Sequence, residues 1–103
     1  YGLSKAMGEM VCKGFSAAHG ISVIALRLYA PSPHDVWLAQ CGGDRPAGHT
    51  TFRDTARAYK SSLELTDHAG YDALFISGDH SGTFVNCAKA RQMLGWEAID
   101  RCE

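Results

Sequence analysis

Ile21-Ser22-Val23-Ile24-Ala25-Leu26-Arg27-Leu28-Tyr29 is almost continuously apolar and too short for a further helix. A run of that kind predicts a strand covered on both faces, central in a parallel sheet. Arg27 is the exception within it. A buried guanidinium must be paired or reach water, whereas ligand crevices in open α/β sheets lie beyond the carboxyl ends of strands. An ion pair within the fold is the first reading of Arg27, and ligand contact is the second.

On the N-terminal side, Leu3, Met7, Met10, Val11, Phe15 and Ala18 recur at steps of three and four. The spacing predicts an amphipathic helix over residues 3–18 with one buried stripe. Glu9 falls on the other face, spaced for i, i+4 ion pairs with Lys5 and Lys13. Gly20 supplies a left-handed residue that ends the helix, with His19 beside it as a last-turn cation or neutral cap.

On the C-terminal side, residues 31–50 contain Pro31, Pro33, Gly42, Gly43, Pro46 and Gly48, and are expected to form a long irregular connection. Within it, Val36-Trp37-Leu38 suits a short helical or extended turn in which Trp37 covers either core or a pocket. Thr51-Phe52-Arg53-Asp54 fits a capping box, with Asp54 as a cap, and Phe52, Ala56, Tyr59 and Leu63 then mark a helical stripe. This crossover helix leads to a second short apolar strand, Ala73-Leu74-Phe75-Ile76-Ser77, and such a unit implies a right-handed parallel connection. Gly78-Asp79-His80-Ser81-Gly82 is turn chemistry, with His80 either exposed or facing a ligand. A last helix over about residues 85–94 should stop at Gly95, with Trp96 packing back.

A chain of 103 residues bounds the answer at one domain or part of one, short for a complete dinucleotide enzyme. Ten basic and eleven acidic side chains leave a net charge of -1 with no run of one sign, so neither nucleic acid nor an acidic membrane is an expected partner. No stretch approaches the roughly 20 apolar residues of a membrane span, and a cytoplasmic location is the default expectation. Cys12, Cys41, Cys87 and Cys102 are far apart and form no Cys-x-x-Cys pair, which argues against structural zinc. Four reduced thiols are expected rather than two disulfides, with Cys12 and Cys87 packed inside helices. The spacing of His34, Cys41 and His49 matches no compact metal motif.

Chemistry enters at Tyr1-Gly2-Leu3-Ser4-Lys5. Positions i and i+4 of a helix lie on one face. An ammonium held beside a phenol favours the phenolate, the form that acts as a base. Tyr1-x-x-x-Lys5 is followed in order by Gly20-Ile21 and the apolar run to Arg27, by Thr51-Phe52-Arg53-Asp54-Thr55-Ala56, and by Lys89-Ala90-Arg91-Gln92-Met93-Leu94-Gly95-Trp96. This order resembles the extended branch of the short-chain dehydrogenase/reductase superfamily, the NAD-dependent epimerases, dehydratases and dehydrogenases of sugars and sugar nucleotides. The resemblance spans about the whole chain and is weakest over residues 29–50, where family members differ.

The resemblance implies an α/β fold, the C-terminal part of a Rossmann-like doubly wound parallel sheet with flanking helices, residues 1–103 being one partial domain. It implies an enzyme in which Tyr1 is the general acid/base and Lys5 assists, both also touching the cofactor, NAD or NADP. A sugar, sugar acid or nucleotide sugar is the implied substrate, with a free sugar or sugar acid favoured by the short loop, and a homodimer is allowed. The family's upstream serine or threonine and its glycine-rich phosphate turn have no counterpart in this sequence, so that half of the fold is expected outside it. The rival expectations are a non-catalytic interaction module and a structural remnant.

Overall fold

In the computed structural model, which describes residues 1–41 and 48–102, the first helix runs as α1, Gly2–His19, and ends where Gly20 turns left-handed at φ 68°. The apolar run forms β1, Val23–Leu28. A two-residue strand, β2 (Pro31–Ser32), a short helix, α2 (His34–Gln40), and another two-residue strand, β3 (Thr50–Thr51), follow. The stretch expected to be irregular thus carries structure at both ends. Gly42, Gly43 and Pro46 lie outside the described residues. The chain continues through α3 (Phe52–Glu64), β4 (Tyr71–Ile76) and α4 (Ala88–Leu94), and Gly95 ends α4 at φ 64°.

Among the described residues the fold is mixed α/β with parallel strands and flanking helices, arranged as two two-stranded sheets. β1 pairs with β4 so that Val23 faces Tyr71 and Leu28 faces Ile76, and β2 pairs with β3 so that Pro31 faces Thr50. Side chains alternate across a strand, so this register sorts the larger sheet into two faces. Ile24, Leu26, Leu28, Leu74 and Ile76 share the face that meets Ala58 of α3, Ala90 of α4, Cys87, Trp96 and Ala98. That face is the core. The opposite face carries Arg27, Tyr71 and Phe75, and α1 approaches it through Glu9.

Three expectations are corrected by this arrangement. β1 was expected to be central and covered on both faces, but among the described residues it has one neighbour, and its residues are half-buried or, at Arg27, exposed. The stripe of α1 was expected to be buried. Leu3, Met7, Met10, Val11 and Phe15 are instead all more than half exposed, and Ser16 is the buried residue of the helix. In α3 the expected stripe also faces outward, with Leu63 85% exposed, while Asp54, Thr55 and Ala58 turn inward. The reason is the tail after Gly95, which needs polar partners at the start of α3 and so decides which side of that helix is covered.

The cysteines are a fourth correction. Cys41 and Cys102 form a disulfide with Cα atoms 5.4 Å apart, well within the span a disulfide bridges. Cys12 is exposed, and Cys87 is buried at the N-cap of α4. The bridge overturns the expectation of four reduced thiols, two of which remain free. Pairing residues 61 apart depends on where the tail lands, which local spacing does not reveal. Among the described residues no helix is long and apolar enough to cross a membrane.

Candidate functional site

The first turn of α1 closes on Tyr1, its N-cap, whose carbonyl accepts the Lys5 amide at 3.1 Å and the Ser4 hydroxyl at 2.7 Å. The same turn places the Lys5 ammonium 5.4 Å from the centre of the Tyr1 ring, within cation–π range. The two expected site residues are therefore brought together, with the charge over the face of the ring. Tyr1 is 96% exposed, so its hydroxyl is open to a ligand from solvent.

Glu9 departs from its expected pairing with Lys5 and Lys13. Its carboxylate accepts Arg27 Nη2 at 2.7 Å, Arg27 Nε at 3.0 Å and the Tyr71 hydroxyl at 2.9 Å. These bonds, from Arg27 first and Tyr71 second, hold the Glu9 carboxyl down to about 2. Burial and the bond to Glu9 push the Tyr71 phenol above its usual range. Arg27 also lies over the Phe75 ring, 5.2 Å from its centre. The ion-pair reading of Arg27 holds, with the fork-like geometry that a guanidinium offers a carboxylate. The cluster ties α1 to the sheet and so positions the turn carrying Tyr1 and Lys5.

Ligands of open α/β sheets bind beyond the carboxyl ends of the strands, and here residues 48–50 cross that edge. Tyr29 donates its amide to Ile76 at 3.0 Å, and Thr50 Oγ1 donates to the Tyr29 carbonyl at 2.7 Å. The Gly48 carbonyl accepts the Gly78 amide at 3.2 Å and the Ser77 hydroxyl at 2.8 Å. Ala30, just past β1, sits at φ 43°, a conformation seldom adopted without a constraint and often found at functional sites. Thr50 imposes the constraint here, since its amide bonds the Ala30 carbonyl.

The turn after β4 is organised by Asp79. Burial opposes its charge, but bonds from the Ser81 hydroxyl and from the amides of Val85, Phe84 and Ser81 outweigh that and hold its carboxyl down to about 2. His80, an open question in the sequence, donates Nε2–H to the Asp100 carbonyl at 2.7 Å. Trp37 packs inward, 6% exposed, and donates its indole N–H to the His49 carbonyl at 3.0 Å. Among the described residues no group of three His, Cys, Asp or Glu could hold a metal, and Cys41 is occupied by its disulfide.

Sequence reasoning missed the Glu9–Tyr71 bond and the Ser22–His68–Asp72 chain, because Glu9 and Tyr71 are 62 residues apart and Ser22 and His68 are 46 apart, and they meet only when α1 docks on the sheet and β1 pairs with β4. Comparison with protein-family models, curated proteins and solved structures finds no match to the chain.

Proposed function

We propose that residues 1–103 are the C-terminal, catalytic-tyrosine part of a Rossmann-like NAD(P)-dependent oxidoreductase or epimerase acting on a sugar, sugar acid or nucleotide sugar. The observation that carries the reading is the Lys5 ammonium placed 5.4 Å from the Tyr1 ring centre on the solvent-facing first turn of α1, the helix that leads into the parallel strand β1. In this reading Tyr1 takes the proton of a substrate hydroxyl at its phenolic oxygen, or returns it in the reverse direction. Lys5 steadies the phenolate and donates to ribose hydroxyls. NAD or NADP, when bound, supplies the hydride acceptor or donor.

The residues present fit one side of such a cofactor. An exposed phenol and an ammonium one turn apart suit the nicotinamide ribose, whereas the pyrophosphate needs a glycine-rich turn at a helix start, which this sequence lacks. The test is a polypeptide joining residues 1–103 to a nucleotide-binding half. There Tyr1→Phe should lower hydride transfer by about 10²–10⁴-fold, the usual contribution of a general acid or base, with folding unchanged. Turnover within a few-fold of the parent removes the role from Tyr1.

A second reading, a non-catalytic interaction module, is favoured by the exposed Leu3, Met7, Met10 and Phe15 on α1. Titration of the 103-residue chain with NAD and with NADP does not separate the two, since both readings expect no measurable affinity from this part alone. The joined polypeptide is therefore the deciding experiment.

A further inference from the structure

Ser22, His68 and Asp72 meet at the start of the larger sheet, just ahead of or at the first residues of β1 and β4. Ser22 Oγ lies 2.5 Å from His68 Nδ1, and His68 Nε2 lies 2.9 Å from Asp72 Oδ2. A backbone bond between the Val23 amide and the Gly70 carbonyl, at 2.9 Å, pins the two segments together beside the trio. With Nε2–H donating to the carboxylate, the Nδ1 lone pair is left to accept the serine proton. A hydroxyl in reach of a base, which a third group orients, is the general signature of an activated nucleophile.

The burial of the three residues suits the same roles. Ser22 is exposed, so an acyl donor reaches it from solvent, while the His68 side chain is only 6% exposed and cannot swing freely. Asp72 spends its other oxygen on Lys89, 2.8 Å away, which keeps the carboxylate charged and fixed. Lys89 first and His68 second hold the Asp72 carboxyl below its usual range. The site follows the C-terminal end of α1, an 18-residue helix roughly 27 Å long with Tyr1 at its other end. It is separate from the Tyr1–Lys5 pair.

We propose that Ser22 is an acyl-accepting nucleophile, with His68 as its general base and Asp72 as the residue that positions His68, and that the chain hydrolyses small activated esters. Ser22 Oγ attacks the ester carbonyl carbon as its proton passes to His68 Nδ1. The bond from that carbon to the leaving oxygen then breaks, the alcohol or phenol departs, and the proton goes to it or to solvent. Water next gives a proton to His68 and attacks the acyl-serine. The bond to Ser22 Oγ breaks, Oγ recovers the proton, and a carboxylic acid leaves, so the sum is ester plus water to acid plus alcohol. Small activated esters are the class because exposed Ser22 offers no enclosing wall for a long acyl chain, and a leaving group that departs as a stable anion lowers the barrier itself.

The probe is p-nitrophenyl acetate on the 103-residue chain, reading nitrophenolate release together with peptide mass mapping of the acetyl group. Acetyl should appear on Ser22, and both Ser22→Ala and His68→Ala should lower the rate by about 10²-fold or more, the lower range for base catalysis. Asp72→Asn should lower it less, and Asp72→Glu should restore part of the loss, which a merely structural role for the carboxylate would not predict. Circular dichroism checks that each variant folds, and Ser22→Ala, at an exposed position, keeps the test decisive if His68→Ala does not. Acetyl found only on lysines or the amino terminus, or an unchanged rate in folded Ser22→Ala, overturns the proposal.

Discussion

Asp54 holds the amide of Ile99 between both its carboxylate oxygens, at 3.1 and 3.0 Å, and takes the neighbouring Asp100 amide at 3.0 Å. It is therefore not the reciprocal cap that Thr51-x-x-Asp54 predicts. Thr51 caps α3 by accepting the Asp54 amide at 3.1 Å, while the Asp54 side chain is turned to the tail. Trp96 completes the connection by donating its indole N–H to the Asp54 carbonyl at 3.0 Å. Arg53 and the Thr51 hydroxyl bind the Asp100 carboxylate in turn. One turn of helix thus holds the strap from Trp96 to Asp100.

Asp54→Ala orphans two amides, and Asp54 itself is 1% exposed. A buried unsatisfied donor costs about 1–3 kcal/mol, and with the Ile99 amide only partly buried the two together should cost about 2–4 kcal/mol, beyond the usual range for a cap. Asp54→Asn, which keeps an acceptor oxygen, should lose less. Urea unfolding curves give both values. A loss under about 0.5 kcal/mol for Asp54→Ala means the tail is held by other contacts.

Reduction of Cys41–Cys102 should destabilise the fold by about 4 kcal/mol, from the loop-entropy relation applied to a separation of 61 residues. Cys102→Ser should reproduce that loss and make the stability insensitive to dithiothreitol. Unfolding midpoints with and without reductant measure it, and equal midpoints in the parent chain mean the bridge contributes nothing.

Acid should loosen α1 from the sheet. The Glu9 carboxyl falls from 4.5 to about 2 on folding, so its contribution is fully present above 4.5 and is lost as pH falls toward 2. Asp79, lowered from 3.8 to about 2, adds to the same trend at the turn after β4. Glu9→Gln should flatten the dependence of stability on pH across that window, with little change in the slope above it. Denaturant midpoints from pH 2 to 7 for parent and variant provide the comparison, and parallel curves would mean the Glu9–Arg27 pair is screened out.

The 103-residue chain should self-associate in solution, because Leu3, Met7, Met10, Val11 and Phe15 form a continuous exposed stripe on α1. Met7→Lys together with Met10→Glu should shift it toward monomer in sedimentation velocity runs without changing its helix content. A parent chain that stays monomeric at high concentration contradicts this.

Local chemistry decided the elements. Gly20 and Gly95 end their helices, Thr51 starts one, and the runs around Val23–Leu28 and Leu74–Ile76 become strands, because each outcome depends on residues a few positions apart. The Tyr1–Lys5 contact was legible for the same reason, since one helical turn is enough to make it. Periodicity also found the apolar stripes of α1 and α3, yet it carries no information about which side of a helix meets the body. That choice belonged to the tertiary structure, where the tail's free amides drew Asp54 inward and left Tyr59 and Leu63 to solvent. Docking of α1 on the sheet likewise selected Arg27 and Tyr71 as partners of Glu9, pairing of β1 with β4 brought Ser22 to His68, and the path of the tail carried Cys102 to Cys41. A side chain's partner across many residues is set by where whole elements dock, and docking is a property of the assembled chain rather than of any stretch within it.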